Sequence, residues 1–198
     1  MTSREQQILD AAIDVLAAGG GRKLTHRAVD AAAGLPVGST SNRFRTRDAI
    51  LAGVLGRILE RETAVWAGLD VDLADGDLDA FCTAMGRTVE VLSTADRTVT
   101  RARLAVFVEA SHRPDLGAEI ANGRARIATW AIPALAKVGS TDPVAHLDCL
   151  LALVDGLLTS RLTVPSGHVD PTLAIRGLLE GLIGDPGDAL TDTWNRAP

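Results

Sequence analysis

The densest run of side chains able to do chemistry lies between Leu24 and Arg47. Ser39, Thr40, Ser41, Asn42 and Arg43 follow one another, with only Phe44 strongly apolar after them, and Arg27, Arg45 and Arg47 flank them. Short hydroxyl and amide side chains make hydrogen bonds at close range, and guanidinium groups grip anionic oxygens in pairs. At the exposed start of a helix, such side chains suit a nucleic-acid groove: the polar groups meet base edges and the cations meet phosphates. A polar surface loop between two core helices fits the same residues, and spacing alone leaves both readings open.

Other chemistry finds less support. The sequence has no GxSxG, GxxxxGK or HExxH pattern, and no GxGxxG followed by an acidic residue. His146 and Cys149 lie three apart with Asp142 one turn earlier, a spacing metal ligands can have. In a Leu-rich helix the pair reads as packing instead, and Ser111-His112 lacks a third partner. No catalytic residue, metal or cofactor is therefore expected.

The elements that must position the polar run are helical. Apolar residues make up 46% of the chain and aromatics 3%, with no Tyr, so Leu, Ala and Val fill the interior, a mix that favours helix. Ser3 reads as the cap of a first helix over about 4–18, stopped by Gly19-Gly20-Gly21. Thr25 caps a second, which ends at Gly34, and Leu35-Pro36-Val37-Gly38 is a turn. A third helix runs from Ser39 to about Phe44, and Thr46 caps a fourth that ends near Gly68. Residues 70–77 (DVDLADGD) form an acidic linker. Five more helices follow at about 78–94, 97–112, 115–138, 142–162 and 171–184, with Pro133 expected to kink the third of these.

Charge is uneven along the chain. The net charge is −5, yet residues 1–60 hold eight Lys/Arg against six Asp/Glu, a mildly basic head on an acidic body. Two cysteines without a CxxC pair fit a reducing compartment, and MTSREQQILD carries charges where a signal peptide is apolar. The longest uncharged apolar run, Ile127–Ala136, falls short of the ~20 residues that span a bilayer. A cytoplasmic protein with no membrane partner is expected.

Order and spacing over residues 5–55 carry a family resemblance. Leu16, Gly20, Leu24-Thr25, Arg27, Val29, Ala33-Gly34-Leu35, Gly38-Ser39, Phe44, and Arg47 ahead of Ile50-Leu51 resemble the DNA-binding domain of the TetR (tetracycline repressor) family. The sequence departs from that pattern where the family has Leu-Tyr-x-Tyr: here stand Thr40, Ser41, Asn42 and Arg43, and Arg43 is an ionic substitute for the usual tyrosine-to-phosphate contact. Asp30 stands where the family has a small Ala, with Arg27 a candidate partner one turn back, and Pro36 stiffens the turn.

The resemblance implies an all-α, nine-helix, two-domain fold. Residues 1–47 would form a helix-turn-helix DNA-binding domain, and residues 48–198 a helical ligand-binding and dimerisation domain. The implied function is transcriptional regulation, as a repressor that releases a near-palindromic operator in double-stranded DNA when a small-molecule effector binds. Thr25 would cap and touch phosphate, His26 and Arg27 would face the backbone, Ser39, Thr40, Ser41, Asn42 and Arg43 would meet the groove, and Arg47 would bind phosphate. An effector pocket among helices 4 to 7 would draw on Trp66, Phe81, Met85, Val89, Phe107 and Trp130, with Arg103, Glu109 and His112 as polar groups. The last two helices would form a homodimer through Leu150, Leu153, Leu157, Ile175, Gly177, Leu178, Gly181 and Leu182; an ordinary intrachain contact fits their spacing as well. A helical dimer without DNA binding, or a small α-helical enzyme, remains the alternative.

Overall fold

A computed structural model describes residues 2–67, 76–164 and 166–184; most of the expected acidic linker lies outside them. Among the described residues the chain is all helical, with nine α-helices: α1 Ser3–Gly19, α2 His26–Ala32, α3 Ser39–Arg43, α4 Arg47–Ala67, α5 Leu78–Ser93, α6 Arg97–Ala110, α7 Pro114–Lys137, α8 Pro143–Thr163 and α9 Pro171–Ile183. The boundaries fall within a few residues of those read from the caps and glycines. The cap of α1 is Thr2 rather than Ser3: its hydroxyl accepts from the Glu5 amide and the Glu5 carboxylate reaches back to the Thr2 amide. Thr25 and Thr46 cap as expected, accepting from the amides of Ala28 and Ala49 at 3.1 and 3.0 Å. Pro133 lies within α7, which runs from Pro114 to Lys137 as one helix.

The chain divides into two compact units, Met1–Gly68 with Val91–Ala125, and Leu69–Glu90 with Arg126–Pro198. Compactness thus does not follow the expected division at residue 47, because α4 and α6 pack on α1.

In the first unit, one face of α1 (Ile8, Leu9, Ile13, Leu16) meets Ile50, Leu51, Val54, Leu55 and Ile58 of α4 and Val99, Ala102 and Val106 of α6 in one buried cluster. Burying each such side chain is worth ~1.5–3 kcal/mol, so this cluster, not helix propensity, holds the unit. In the second unit, α8 and α9 pack together; Leu147, Leu150, Leu151, Val154, Leu157 and Leu158 of α8 and Ile175 and Leu179 of α9 are buried. By length and composition alone, α8 is apolar enough to cross a bilayer, at a mean hydropathy of 1.3, a property that uncharged runs in the sequence do not reveal. Part of that surface, 39% of the apolar stretch, is buried in the second unit.

Candidate nucleic-acid interface

The polar run is set on two very short helices. α2 has seven residues and α3 five, far below the ~12–15 at which an isolated helix holds its shape. The turn between them needs backbone that side chains resist: Gly34 sits at φ +65° and Gly38 at φ +95°. What ties α3 to α2 is polar. Asp30 Oδ1 accepts from the Thr40 amide at 2.7 Å and the Thr40 hydroxyl at 2.6 Å, and Oδ2 accepts from the Gly38 amide at 2.7 Å. At the far end of α3, His26 Nε2 lies 2.7 Å from the Phe44 carbonyl oxygen and donates to it.

These contacts sort the expected residues. Thr40 is 0% exposed, so it cannot reach a base edge; it faces inward because residues 40 and 44 share the one side of α3 that packs. Asp30 does not take Arg27 as its partner; donors across the turn hold it. His26 is half-buried and spends a ring nitrogen inside the chain. Ser41, Asn42, Arg43, Arg27 and Arg45 are exposed, as is Thr25, while Ser39 is half-buried with its hydroxyl donating to the Pro36 carbonyl at 2.7 Å. Ser41 donates to the Gly38 carbonyl at 3.0 Å.

Two cations of this surface are already engaged by carboxylates that sequence reading did not place there. Arg43 Nη2 lies 2.7 Å from Glu5 Oε2, beside a cleft of about 240 Å³ lined by Thr2, Arg4, Glu5, Ile8, Ser39, Asn42 and Arg43. Arg47 grips Glu109 in a fork, at 2.8 and 3.3 Å, and donates to the Gly21 carbonyl at 2.8 Å. The Arg47 guanidinium holds the Glu109 carboxyl below its ordinary value of 4.5, against burial, which pushes it up. Arg113 at the α7 start bonds Asp48 and lies 3.4 Å from Glu109, extending the network.

Of the nine expected effector residues, five fall in the first unit and four in the second. In the first, Trp66 is buried, Arg103 pairs with Glu62 at 2.9 Å and stacks on Phe107 at 4.0 Å, and Glu109 serves Arg47. In the second, Phe81, Met85 and Val89 lie buried on one face of α5 and Trp130 is half-buried on α7. His112 is exposed, its Nδ1 2.8 Å from the Ser111 hydroxyl. His146 is buried with Nδ1 2.7 Å from the Ser140 hydroxyl, Asp142 caps α8, and Cys149 is exposed, so each of that trio has a separate place.

Among the expected dimer residues, Leu150, Leu157 and Ile175 are buried inside their own chain, Leu153, Leu178 and Leu182 are half-buried, and Gly177 and Gly181 are exposed. The outer side of α8 and α9 instead presents small residues, Ala145, Cys149, Ala152, Gly156, Gly177 and Gly181. A Cβ built on any of the three glycines meets nothing within 4 Å. Beside them lies an open, largely apolar groove of about 280 Å³ with Leu153, Gly156, Leu157 and Val169 in its walls.

An all-helical chain with this helix order and this short-helix head has the TetR-like fold. The model of the tetracyclin repressor-like C-terminal domain matches residues 76–185. Among solved structures, a TetR-family member from Streptomyces coelicolor A3 shares 30% identity at a TM-score of 0.72, covering 93% of this chain and 100% of its own. The multidrug binding protein EbrR complexed with ethidium shares 31% identity at a TM-score of 0.70, covering 91% of this chain and 98% of its own. EbrR is also known complexed with malachite green and with proflavin. A transcriptional regulator from Rhodococcus sp. Rha1, at 22% identity and a TM-score of 0.76 over 91% of this chain and 96% of its own, shares the fold. The sequence finds no match among curated proteins. The chain belongs to the TetR family of regulators.

Proposed function

We propose that the chain is a cytoplasmic, homodimeric repressor that binds a near-palindromic operator through residues 1–47 and releases it when a small molecule binds within residues 48–198. The observation that carries this reading is the exposed Ser41-Asn42-Arg43 edge of α3 with Arg27, Arg45 and Arg47 around it. Such an edge offers amide and guanidinium groups to bases and cations to the flanking phosphates. The small-residue outer side of α8 and α9 supports the dimer, since missing side chains let a second pair of helices approach closely. A two-fold dimer would place two α3 helices about one DNA turn apart.

Release follows from the build of the first unit. α4 starts at Arg47 and reaches Trp66 in one 21-residue helix, and α6 holds Arg47 through Glu109. An effector touching α4 or α6 in its body needs only to favour the spacing that misfits DNA. EbrR, bound in crystals to ethidium, malachite green and proflavin, makes aromatic cations the first effectors to try. Ethidium and proflavin also intercalate into DNA, so their binding is measured by calorimetry on the protein alone.

The test is fluorescence anisotropy with duplexes from the region upstream of the chain's own gene, paired with a reporter read with and without the protein. Specific, salt-sensitive binding and lowered reporter output are expected. A dimer that binds these duplexes no better than random DNA would instead fit a helical dimer without DNA binding, and raised reporter output would make the protein an activator.

A further inference from the structure

The recognition edge is carried by a helix too short to hold itself. Its N-cap, Gly38, has no side chain to accept from the first amides, and α3 contributes only Thr40 and the following Phe44 to buried surface. Its attitude on the molecule therefore comes from Phe44 in the core, from the Arg43–Glu5 pair to α1 and from side chains of α2. One of these is a carboxylate, 2% exposed, with all its contacts directed at the start of α3.

We propose that Asp30 is the positioning residue of the DNA-reading edge: by bridging the Gly38 amide, the Thr40 amide and the Thr40 hydroxyl, it fixes the register of α3 on α2 and hence the direction in which Ser39, Ser41, Asn42 and Arg43 project. The inference rests on the DNA-binding reading above.

Charge makes this the stronger of the two polar ties between α2 and α3. Hydrogen bonds to a carboxylate are shorter and roughly twice as strong as neutral ones. The His26 tie to the Phe44 carbonyl at the other end ends on a neutral oxygen. Burial pushes the Asp30 carboxyl up, but the Thr40 hydroxyl and the Thr40 and Gly38 amides outweigh it and hold it below its ordinary 3.8, so the anion persists at neutral pH. The tie is also separable from folding. The core of the first unit is built mainly by α1, α4 and α6, with Val29 of α2 and Phe44 added, and loss of Asp30 removes none of that apolar contact. A side chain at position 30 without acceptor oxygens therefore loosens α3 while leaving its scaffold standing.

The experiment compares wild type with Asp30→Ala, Asp30→Asn and Thr40→Val. Duplexes selected by the wild-type protein from a random pool are the specific probe, and unselected pool DNA is the non-specific one. Asp30→Ala is expected to lower affinity for selected duplexes by about tenfold or more, ~1.4 kcal/mol, and affinity for the pool by less than about threefold. Thr40→Val removes one bond of the bridge and should fall between. Asp30→Asn keeps an acceptor for Thr40 but sets an amide against the Gly38 N–H, and serves if the alanine variant fails to fold. In the variants at position 30, the Gly38 amide proton should move upfield and exchange faster, a signature that a general loss of stability would not confine to the α3 start. Should these variants keep the wild-type ratio of selected to pool affinity, the Asp30 role is wrong while DNA binding stands. Should wild type enrich no sequence at all, the DNA-binding reading falls and this one with it.

Discussion

Arg47 is expected to bind phosphate, yet it is gripped by Glu109 and the Gly21 carbonyl, and the two roles separate cleanly under mutation. Side-chain exposures of 33% for Arg47 and 23% for Glu109 put the pair between a surface ion pair, worth ~0.2–1 kcal/mol, and a buried one, costing ~3–5 kcal/mol when broken. Arg47→Ala should therefore cost about 1–2 kcal/mol of stability, at ~2–4 °C of Tm per kcal/mol for a chain of this size. Each phosphate contact adds ~0.9 to the slope of log affinity against log salt, so a dimer losing two contacts flattens by ~1.8. Between about 50 and 200 mM salt, wild type would then lose about twelvefold more affinity than the variant. Glu109→Gln costs similar stability but frees Arg47, so its slope should stay at the wild-type value or steepen. Anisotropy titrations at several salt concentrations, with Tm from circular dichroism, read both quantities. An Arg47→Ala protein with lowered Tm and an unchanged slope would refute the phosphate role and leave Arg47 a purely internal tie.

Three further outcomes follow from the geometry. Gly177→Leu and Gly181→Leu meet open space within the chain, so each should fold as well as wild type, with ~0.5–1 kcal/mol gained from helix propensity. Both should convert a dimer to monomers by light scattering, and a dimer that survives both moves the interface elsewhere. Gly86→Ala should destabilise by about 1–3 kcal/mol in urea, because the new Cβ would lie 2.9 Å from the Thr172 amide nitrogen and 3.0 Å from its Cα, and backbone cannot step aside as a side chain can. Glu109 has a lowered pKa in the fold, so its contribution is fully present above its ordinary 4.5 and is lost as pH falls through the folded value. The stability gap between wild type and Glu109→Gln should hold while pH stays above 4.5 and shrink as pH falls below it, and a gap that grows on acidification would reverse the assignment.

How far the sequence can be read depends on the range of the interaction. Helix ends are legible because their causes are local: Thr25 and Thr46 bond amides three residues on, and Gly34 and Gly38 take positive φ within the turn. Even the misplaced cap of α1 is a shift of one residue, between adjacent Thr2 and Ser3 that both suit the role. The site is less legible because its ties are long. Asp30 finds donors eight and ten residues away across a turn, whereas Arg27 is merely nearest on a helix face. Glu109 lies 62 residues from Arg47, and no pattern in one chain announces that pairing. Thr40 is different: its spacing of four from Phe44 marks a packed side, a clue the sequence itself carries. In α8 the apolar residues run round the helix, so periodicity gives no way to choose which leucines face inward. The structure turns Leu150, Leu151 and Leu157 into the core and leaves Ala152 and Gly156 outside.

The proposed DNA surface meets its ligand in a particular state: Arg43 is paired with Glu5 and Arg47 with Glu109. Binding phosphate there is an exchange of one anion for another, not the neutralisation of a bare cation. The gain per contact is correspondingly small, and the balance answers to anything that moves the carboxylates. Glu5 also closes the capping box of α1 within the head, and Glu109 sits on α6, so the Arg47 exchange is coupled to a helix of the body. Such coupling gives an effector a route to the DNA surface that needs no large motion: shifting α6 enough to tighten its hold on Arg47 withdraws a phosphate ligand. If that is how the head is held, Glu5→Gln should tighten binding to random and selected duplexes alike, since the freed Arg43 gains a phosphate without any change in what α3 reads. Tightening confined to selected duplexes would mean that Arg43 reads a base, and no tightening at all would mean that Glu5 does not compete with DNA.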